Sequence, residues 1–110
     1  MSAWTHAITD ADLPEGKATR VATDLGDLVL YRSDEKLFAI ALRCSHQGAP
    51  LDKGPVKIQS SLQTVTCPAH GSLFDLATGK VMRGPATKPV AAYETRVSDG
   101  AVEVRPREDV

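Results

Sequence analysis

The sequence has 110 residues, of which 42% are hydrophobic and 25% charged, and its formal net charge is -1. These values are ordinary for a globular protein and exclude a disordered or membrane-embedded chain, and the length suits a single domain covering residues 1–110. Because the basic residues are scattered along a nearly neutral chain, nucleic acid is not expected as a partner.

The longest uninterrupted apolar run, residues 37–42, has the length of a buried strand. A membrane span needs roughly 20 apolar residues, so we expect no membrane contact. The first 20 residues have no basic head followed by an apolar segment, which predicts a cytoplasmic location. In such a protein a set of Cys and His residues is more typical of a metal or redox site than of a disulfide.

Short apolar stretches separated by Gly, Pro and polar turn residues predict an all-β chain. The first three predicted strands form an antiparallel meander, two strand pieces lead to the second cysteine, and two hairpins follow. In the last hairpin apolar and charged residues alternate with a period of two on both sides of Ser98-Asp99-Gly100. In chain order the predicted strands are residues 17–23, 28–31, 37–42, two pieces within 56–66, 71–75, 81–82, 93–97 and 101–105.

Both cysteines and two of the three histidines lie in two short stretches, Cys44-x-His46 and Cys67-x-x-His70. Thiolate and imidazole ligands indicate zinc, copper or iron in a sulfide cluster, because calcium and magnesium prefer oxygen. Structural zinc sites tend to group Cys with Cys and His with His, whereas here each loop contributes one of each. A two-iron cluster explains this pattern if one iron binds both thiolates and the other binds both imidazoles. A zinc-binding structural module and a pair of buried free thiols remain alternatives.

The two stretches resemble the cluster loops of the Rieske [2Fe-2S] family, whose motif is Cys-x-His followed by Cys-x-x-His. Residues 44–51 and 67–75 are similar to these loops, and residues 83–86 to the family's third, proline-containing loop. The resemblance implies a Rieske fold, with an antiparallel β-sandwich or barrel base and a smaller cluster-binding part at about residues 43–85. The spacer between the two loops is longer than is usual in the family, and we expect an extended hairpin near residues 59–61.

The resemblance also implies the cofactor and its surroundings. A Rieske-type [2Fe-2S] cluster would be bound by Cys44 and Cys67 on one iron and by His46 and His70 on the other. The His-bound iron is expected near the surface. Supporting positions around the cluster are expected for Gln47, Gly48, Ala69, Gly71, Ser72 and Pro85.

Three of these supporting residues, Gln47, Ala69 and Pro85, would form a small docking patch around the two histidines. Ser72 has two interpretations: it donates a hydrogen bond to the cluster, or it only caps its own loop. The third histidine, His6, has no Cys or His nearby in the sequence and is interpreted as a structural or surface residue.

Comparison within the family predicts a low redox potential. Histidine ligation makes the oxidised cluster and its ligands neutral, which places the potential at roughly -150 mV or above, against about -400 mV for plant-type four-cysteine centres. Respiratory members carry a disulfide between the two loops, but the matching positions here are Ala49 and Ala69. Their serine hydroxyl is matched by Ser72, whereas Phe74 replaces their tyrosine. We therefore expect a centre near the negative end of the His-ligated range.

The resemblance implies a soluble one-electron carrier and not an enzyme. It would pass electrons from a flavin-dependent reductase to a terminal oxygenase of the ring-hydroxylating dioxygenase type, docking transiently with each. One alternative keeps the cluster and makes the chain the small subunit of an assimilatory nitrite reductase. The zinc module is the alternative from a different class.

Overall fold

The structure is a computed structural model that describes residues 3–34, 36–59 and 62–107. Within these ranges the helical segments are two short 3-10 turns, Asp10–Asp12 and Leu51–Lys53, and no helix is long and apolar enough to cross a membrane. The prediction of an all-β chain is confirmed. The strands of the described ranges are β1 (Thr5–Thr9), β2 (Thr19–Thr23), β3 (Gly26–Ser33), β4 (Lys36–Ala41), β5 (Val56–Ile58), β6 (Gln63–Thr66), β7 (Leu73–Asp75), β8 (Val81–Arg83), β9 (Ala92–Ser98) and β10 (Ala101–Pro106).

Six of these strands form an antiparallel sheet in the order β1-β10-β9-β4-β3-β2. Its two edge strands, β1 and β2, contact each other, so the sheet curls into a near-barrel. The predicted meander of β2, β3 and β4 and the predicted hairpin of β9 and β10 are confirmed. In that hairpin Asp99 and Gly100 both have positive φ, 51° and 77°, as a type I′ turn requires.

The sequence reasoning did not anticipate β1, which precedes the first predicted strand. This strand pairs with β10 at one edge of the sheet, and within it only Ala7 is buried. A polar edge strand of this kind has little apolar alternation of its own, because its backbone bonds to a neighbour that is distant in sequence. The formation of β1 therefore depends on its pairing with β10 and cannot be read from the sequence of β1 itself.

The remaining four strands form a second antiparallel sheet in the order β5-β6-β7-β8. The predicted strand pieces within residues 56–66 are β5 and β6, and at their turn the Gln59 N–H donates to the Leu62 carbonyl at 2.9 Å. The expected extended hairpin therefore lies in this region, although Ser60 and Ser61 lie outside the described residues. The predicted hairpin into residues 81–82 corresponds to β7 and β8.

Strands β3 and β4 join the two sheets because both of their faces are buried. Leu28 and Leu30 point into one apolar cluster, which fills the near-barrel, whereas Val29 between them belongs to a second cluster. In β4, Ile40 belongs to the second cluster and Ala39 to the first. This explains why residues 37–42 form a continuous apolar run, and it places the second sheet against the outer face of the base.

Candidate metal centre

The first Cys/His loop leaves β4 and returns through a narrow turn. The Cys44 N–H donates to the Ala49 carbonyl at 2.9 Å, and the Gly48 N–H donates to the Cys44 carbonyl at 2.8 Å. Gly48 has φ of 77°, a left-handed conformation that a residue with a Cβ adopts only at a cost. The turn holds Cys44 inward, at 3% exposure, and leaves His46 exposed.

The second loop, which leaves β6, repeats the same backbone turn. The Cys67 N–H donates to the Ser72 carbonyl at 2.7 Å, and the Gly71 N–H donates to the Cys67 carbonyl at 3.1 Å. Gly71 also has a left-handed φ, of 80°. In both loops the glycine lies four residues after the cysteine, and the loops differ in the histidine, which follows the cysteine by two residues in one and three in the other.

A third loop, between β8 and β9, is bonded to both of these turns. The Ala86 N–H donates to Ser72 Oγ at 2.9 Å, and Ser45 Oγ donates to the Lys88 carbonyl. The loop contains a cis peptide bond between Gly84 and Pro85. Since each serine lies within two residues of a motif histidine, these two bonds set the position of the third loop relative to the Cys/His side chains.

The four motif side chains form two pairs. Both cysteines are free and buried in the same apolar cluster, and their thiols are close enough to hydrogen-bond. The rings of His46 and His70 are exposed, with their centroids 5.2 Å apart and their planes nearly perpendicular. Among the described residues no group of three or more His, Cys, Asp and Glu side chains is arranged to hold one metal ion. Two separate pairs of potential ligands, one of sulfur and one of nitrogen, suit a group with two metal ions.

Burial raises the pKa of the Cys44 thiol above its ordinary value, and the neighbouring Cys67 thiol raises it further. The backbone N–H groups of His46 and Gln47 act in the opposite direction, and the His46 N–H lies 3.4 Å from Cys44 Sγ. A metal ion must therefore displace a proton from this thiol, and the N–H group already aimed at the sulfur would stabilise the resulting thiolate.

The residues expected around the site lie on its three loops. Gln47, Ala69 and Pro85 are exposed, as a docking patch requires, and their role stays a prediction. Ser72 is fully buried and holds the third loop through Ala86, so it does more than cap its own loop. His6, on β1, is exposed, in agreement with its interpretation as a surface residue.

Sequence reasoning missed Ser45, whose bond to the third loop matches that of Ser72. The available signal was a small hydroxyl side chain between two candidate ligands. Its partner is the carbonyl of Lys88, more than forty positions along the chain. Nothing in the local sequence indicates such a contact.

A barrel-like base that carries a buried pair of thiols and an exposed pair of imidazoles is the arrangement expected of an iron–sulfur protein with mixed ligands. A model of the Rieske [2Fe-2S] domain matches residues 3–94. The chain therefore belongs to the Rieske [2Fe-2S] domain family, and its cofactor is a Rieske-type [2Fe-2S] cluster.

Three proteins that are similar to this chain over nearly their whole length belong to two kinds of redox system. The 3-phenylpropionate/cinnamic acid dioxygenase ferredoxin subunit of Photorhabdus laumondii is 36% identical over 101 residues, 92% of each chain. The ferredoxin of carbazole 1,9a-dioxygenase from Nocardioides aromaticivorans has a TM-score of 0.84 and 30% identity, covering 96% of this chain and 100% of that one. A putative NADH-dependent nitrite reductase small subunit from Mycobacterium tuberculosis has a TM-score of 0.81 and 26% identity, covering 100% and 99%.

Proposed function

We propose that this protein is a one-electron carrier that takes an electron from a flavin-dependent reductase and delivers it to the terminal oxygenase of a ring-hydroxylating dioxygenase system. The observation that carries the proposal is the division of the site into buried thiols and exposed imidazoles. The proposal is also supported by the similarity of nearly the whole chain to the ferredoxins of two dioxygenases. Because both of those are named for aromatic substrates, the oxygenase served by this chain would also act on an aromatic compound.

The proposal assigns Cys44 and Cys67 to one iron and His46 and His70 to the other. When bound, the cluster accepts and donates one electron reversibly. The protein surrounds the thiolates with apolar side chains and excludes water from them, while the imidazoles face the surface. The histidines are therefore the point at which an electron enters and leaves, and a docking partner needs to cover only a small area around them.

Phe74 carries the prediction of a low potential. Its side chain is fully buried in the apolar cluster that contains both cysteines, and it has no hydroxyl to donate to a sulfur atom. Ser72 does have a hydroxyl, whose oxygen accepts from Ala86 and whose hydrogen remains available for donation. A midpoint potential at the negative end of the His-ligated range is expected in a redox titration, and a clearly positive value would contradict this part of the proposal.

The cluster assignment is tested by iron and acid-labile sulfide analysis together with an EPR spectrum after dithionite reduction. The expected result is two irons and two sulfides per chain and a signal with the low average g value of a His-ligated cluster. A colourless protein containing zinc and no sulfide would support the zinc module instead. Separate His46→Ala and His70→Ala variants should lose or alter the cluster spectrum, while His6→Ala, at an exposed position of β1, should keep it.

A second candidate is the small subunit of an assimilatory nitrite reductase, favoured by the solved structure that matches the whole chain. The two candidates differ in how the partner is held. A carrier dissociates from its partners on purification, whereas a subunit is recovered in a stable complex. Size-exclusion chromatography of the tagged chain from its native host separates them.

The proposal includes one domain over residues 1–110, with a cluster-binding part at about residues 43–85. It also includes a cytoplasmic location, which suits a chain whose two cysteines are both free, because thiols are kept reduced in that compartment. Cell fractionation followed by immunoblotting tests the location.

A further inference from the structure

The charged residues are divided unevenly between residues 43–90 and the rest of the chain. Residues 43–90, which contain the three loops and the second sheet, have six Lys or Arg and two Asp or Glu, a formal charge of +4. The rest of the chain has seven basic and twelve acidic residues, a formal charge of -5. The net charge of -1 therefore combines a basic segment, residues 43–90, with an acidic remainder of the chain.

Three of these basic residues lie on or beside the loops of the metal centre: Arg43 directly precedes Cys44, Arg83 ends β8, and Lys88 lies in the third loop. Arg43 Nη1 lies 3.4 Å from the Gly48 carbonyl in the first loop, and Arg83 Nη2 lies 3.5 Å from the Gly71 carbonyl in the second. Lys88 is in the third loop, where its carbonyl accepts from Ser45. All three residues are exposed. We call Arg43, Arg83 and Lys88 the basic rim.

The two acidic residues of the same part do not neutralise the rim. Asp52 lies 3.4 Å from Arg20 of β2. Asp75 accepts hydrogen bonds from the Ala77 and Thr78 N–H groups in the turn that follows β7. Neither carboxylate forms an ion pair with a residue of the rim among the contacts of the described residues.

We propose that the basic rim is a docking surface for an acidic face on the protein that exchanges electrons with the cluster, an inference that rests on the proposed function. Positive charge around the imidazoles would orient the partner so that its own redox centre, surrounded by carboxylates, faces the exposed histidines. Such an arrangement increases the association rate by about 10- to 1,000-fold at low ionic strength.

The sign of the local charge is measured by oxidising the dithionite-reduced protein with two small complexes of opposite charge. Ferricyanide, an anion, takes one electron from the cluster to give ferrocyanide, and tris(phenanthroline)cobalt(III), a cation, takes one to give the cobalt(II) complex. Stopped-flow rates are recorded from about 0.01 M to about 0.15 M salt, over which the Debye length falls from about 30 Å to about 8 Å. The ferricyanide rate should fall by about tenfold as salt rises, and the cobalt rate should increase.

Matched variants distinguish the effect of the basic rim on the oxidation rate from the effect of the overall charge. Arg83→Gln and Lys36→Gln remove the same charge, but Lys36 begins β4, at the opposite end of that strand from the first cluster loop. Arg83→Gln should weaken the salt dependence with ferricyanide, and Lys36→Gln should leave it unchanged. Arg83→Lys restores the charge without the guanidinium group, so recovery of the salt dependence in this variant excludes a mere effect on the loop.

Binding of an acidic polymer completes the test. Poly-L-glutamate should slow ferricyanide oxidation of the wild type at low salt and have less effect on Arg83→Gln. A ferricyanide rate that rises with salt, or equal behaviour of Arg83→Gln and Lys36→Gln, would overturn the proposal. Tight binding of a short DNA duplex at physiological salt would assign the rim to nucleic acid and also overturn it. A protein without an EPR-active cluster would instead contradict the proposed function.

Discussion

Replacing Gly79 with alanine should show how closely the two parts of the molecule approach each other. Gly79 lies in the turn between β7 and β8, and its carbonyl accepts from the Val90 N–H at 2.9 Å, where the chain leads back to the base. A Cβ on Gly79 would lie 2.0 Å from the Val90 carbonyl oxygen, and the backbone has φ of 76°. Two costs therefore combine in this variant: a left-handed conformation and a collision with backbone.

The expected loss of stability is the sum of these two costs. The left-handed conformation costs roughly 1–2 kcal/mol for a residue with a Cβ. Overpacking costs typically about 1–3 kcal/mol, and the upper end applies here because the struck atom belongs to the backbone. The sum, roughly 3–5 kcal/mol, is a large part of the about 5–15 kcal/mol that stabilises a domain. At about 4 °C per kcal/mol or slightly more, Tm should fall by roughly 12–20 °C.

Two other glycines provide controls. Gly100 has nearly the same φ, 77°, but nothing lies within 4 Å of its added Cβ, so Gly100→Ala should lower Tm by only about 4–8 °C. Gly54 has an ordinary φ of -90°, yet its Cβ would lie 1.7 Å from the Thr66 carbonyl oxygen, so Gly54→Ala has the collision alone.

The assay is thermal unfolding of the cluster-loaded protein by circular dichroism at one fixed scan rate, with visible absorption to follow release of the cluster. Gly79→Ala should release the cluster at a lower temperature than Gly100→Ala. If these two variants unfold within about 2 °C of each other, the added collision has no measurable cost and the inferred approach of the turn to the Val90 segment is wrong.

Three further predictions concern other contacts. Ser72→Ala leaves the buried Ala86 N–H without its acceptor and should lower the free energy of unfolding by about 1–3 kcal/mol. Hydrogen exchange at the Ala86 amide should also become faster. A variant as stable as the wild type would contradict this role of the Ser72 hydroxyl. The guanidinium carbons of Arg96 and Arg105 lie 4.5 and 4.4 Å from the centroid of the Trp4 ring. Trp4→Leu should therefore cost about 1–2 kcal/mol in a denaturant titration without changing the cluster spectrum, and no loss of stability would show that these contacts are negligible. Burial raises the pKa of the Tyr93 hydroxyl above its ordinary value of 10, so the contribution of this group to stability is complete below about pH 10 and is lost as pH rises through the folded-state pKa. Tm of the wild type should therefore fall more steeply above pH 10 than Tm of Tyr93→Phe. Parallel curves for the two proteins would refute the raised pKa.

Several features follow from local sequence alone. The hairpin of β9 and β10 is encoded by alternation of apolar and charged residues and by Asp99-Gly100, whose preference for positive φ suits the turn. The family could be predicted because Cys44, His46, Cys67 and His70 have an uncommon spacing that few other sites share. Such signals depend on the identity of residues within one strand or loop, and a single sequence contains them in full.

Other features depend on residues that are distant in sequence. The strand β1 exists because β10 offers it hydrogen-bond partners, and the third loop is held by Ser45 and Ser72 through backbone groups far along the chain. No local pattern predicts which carbonyl a serine hydroxyl will reach.

The sequence by itself determined that the chain is all-β and belongs to the Rieske family, because the period of two and the spacing of the Cys and His residues are local properties. The tertiary structure decided how the proposed ligands divide, with thiols brought together in an apolar cluster and imidazoles left at the surface. It also decided that Arg43, Arg83 and Lys88, which are separated in sequence, are exposed on or beside the three loops. These outcomes depend on the packing of the second sheet on β3 and β4, which no short segment specifies.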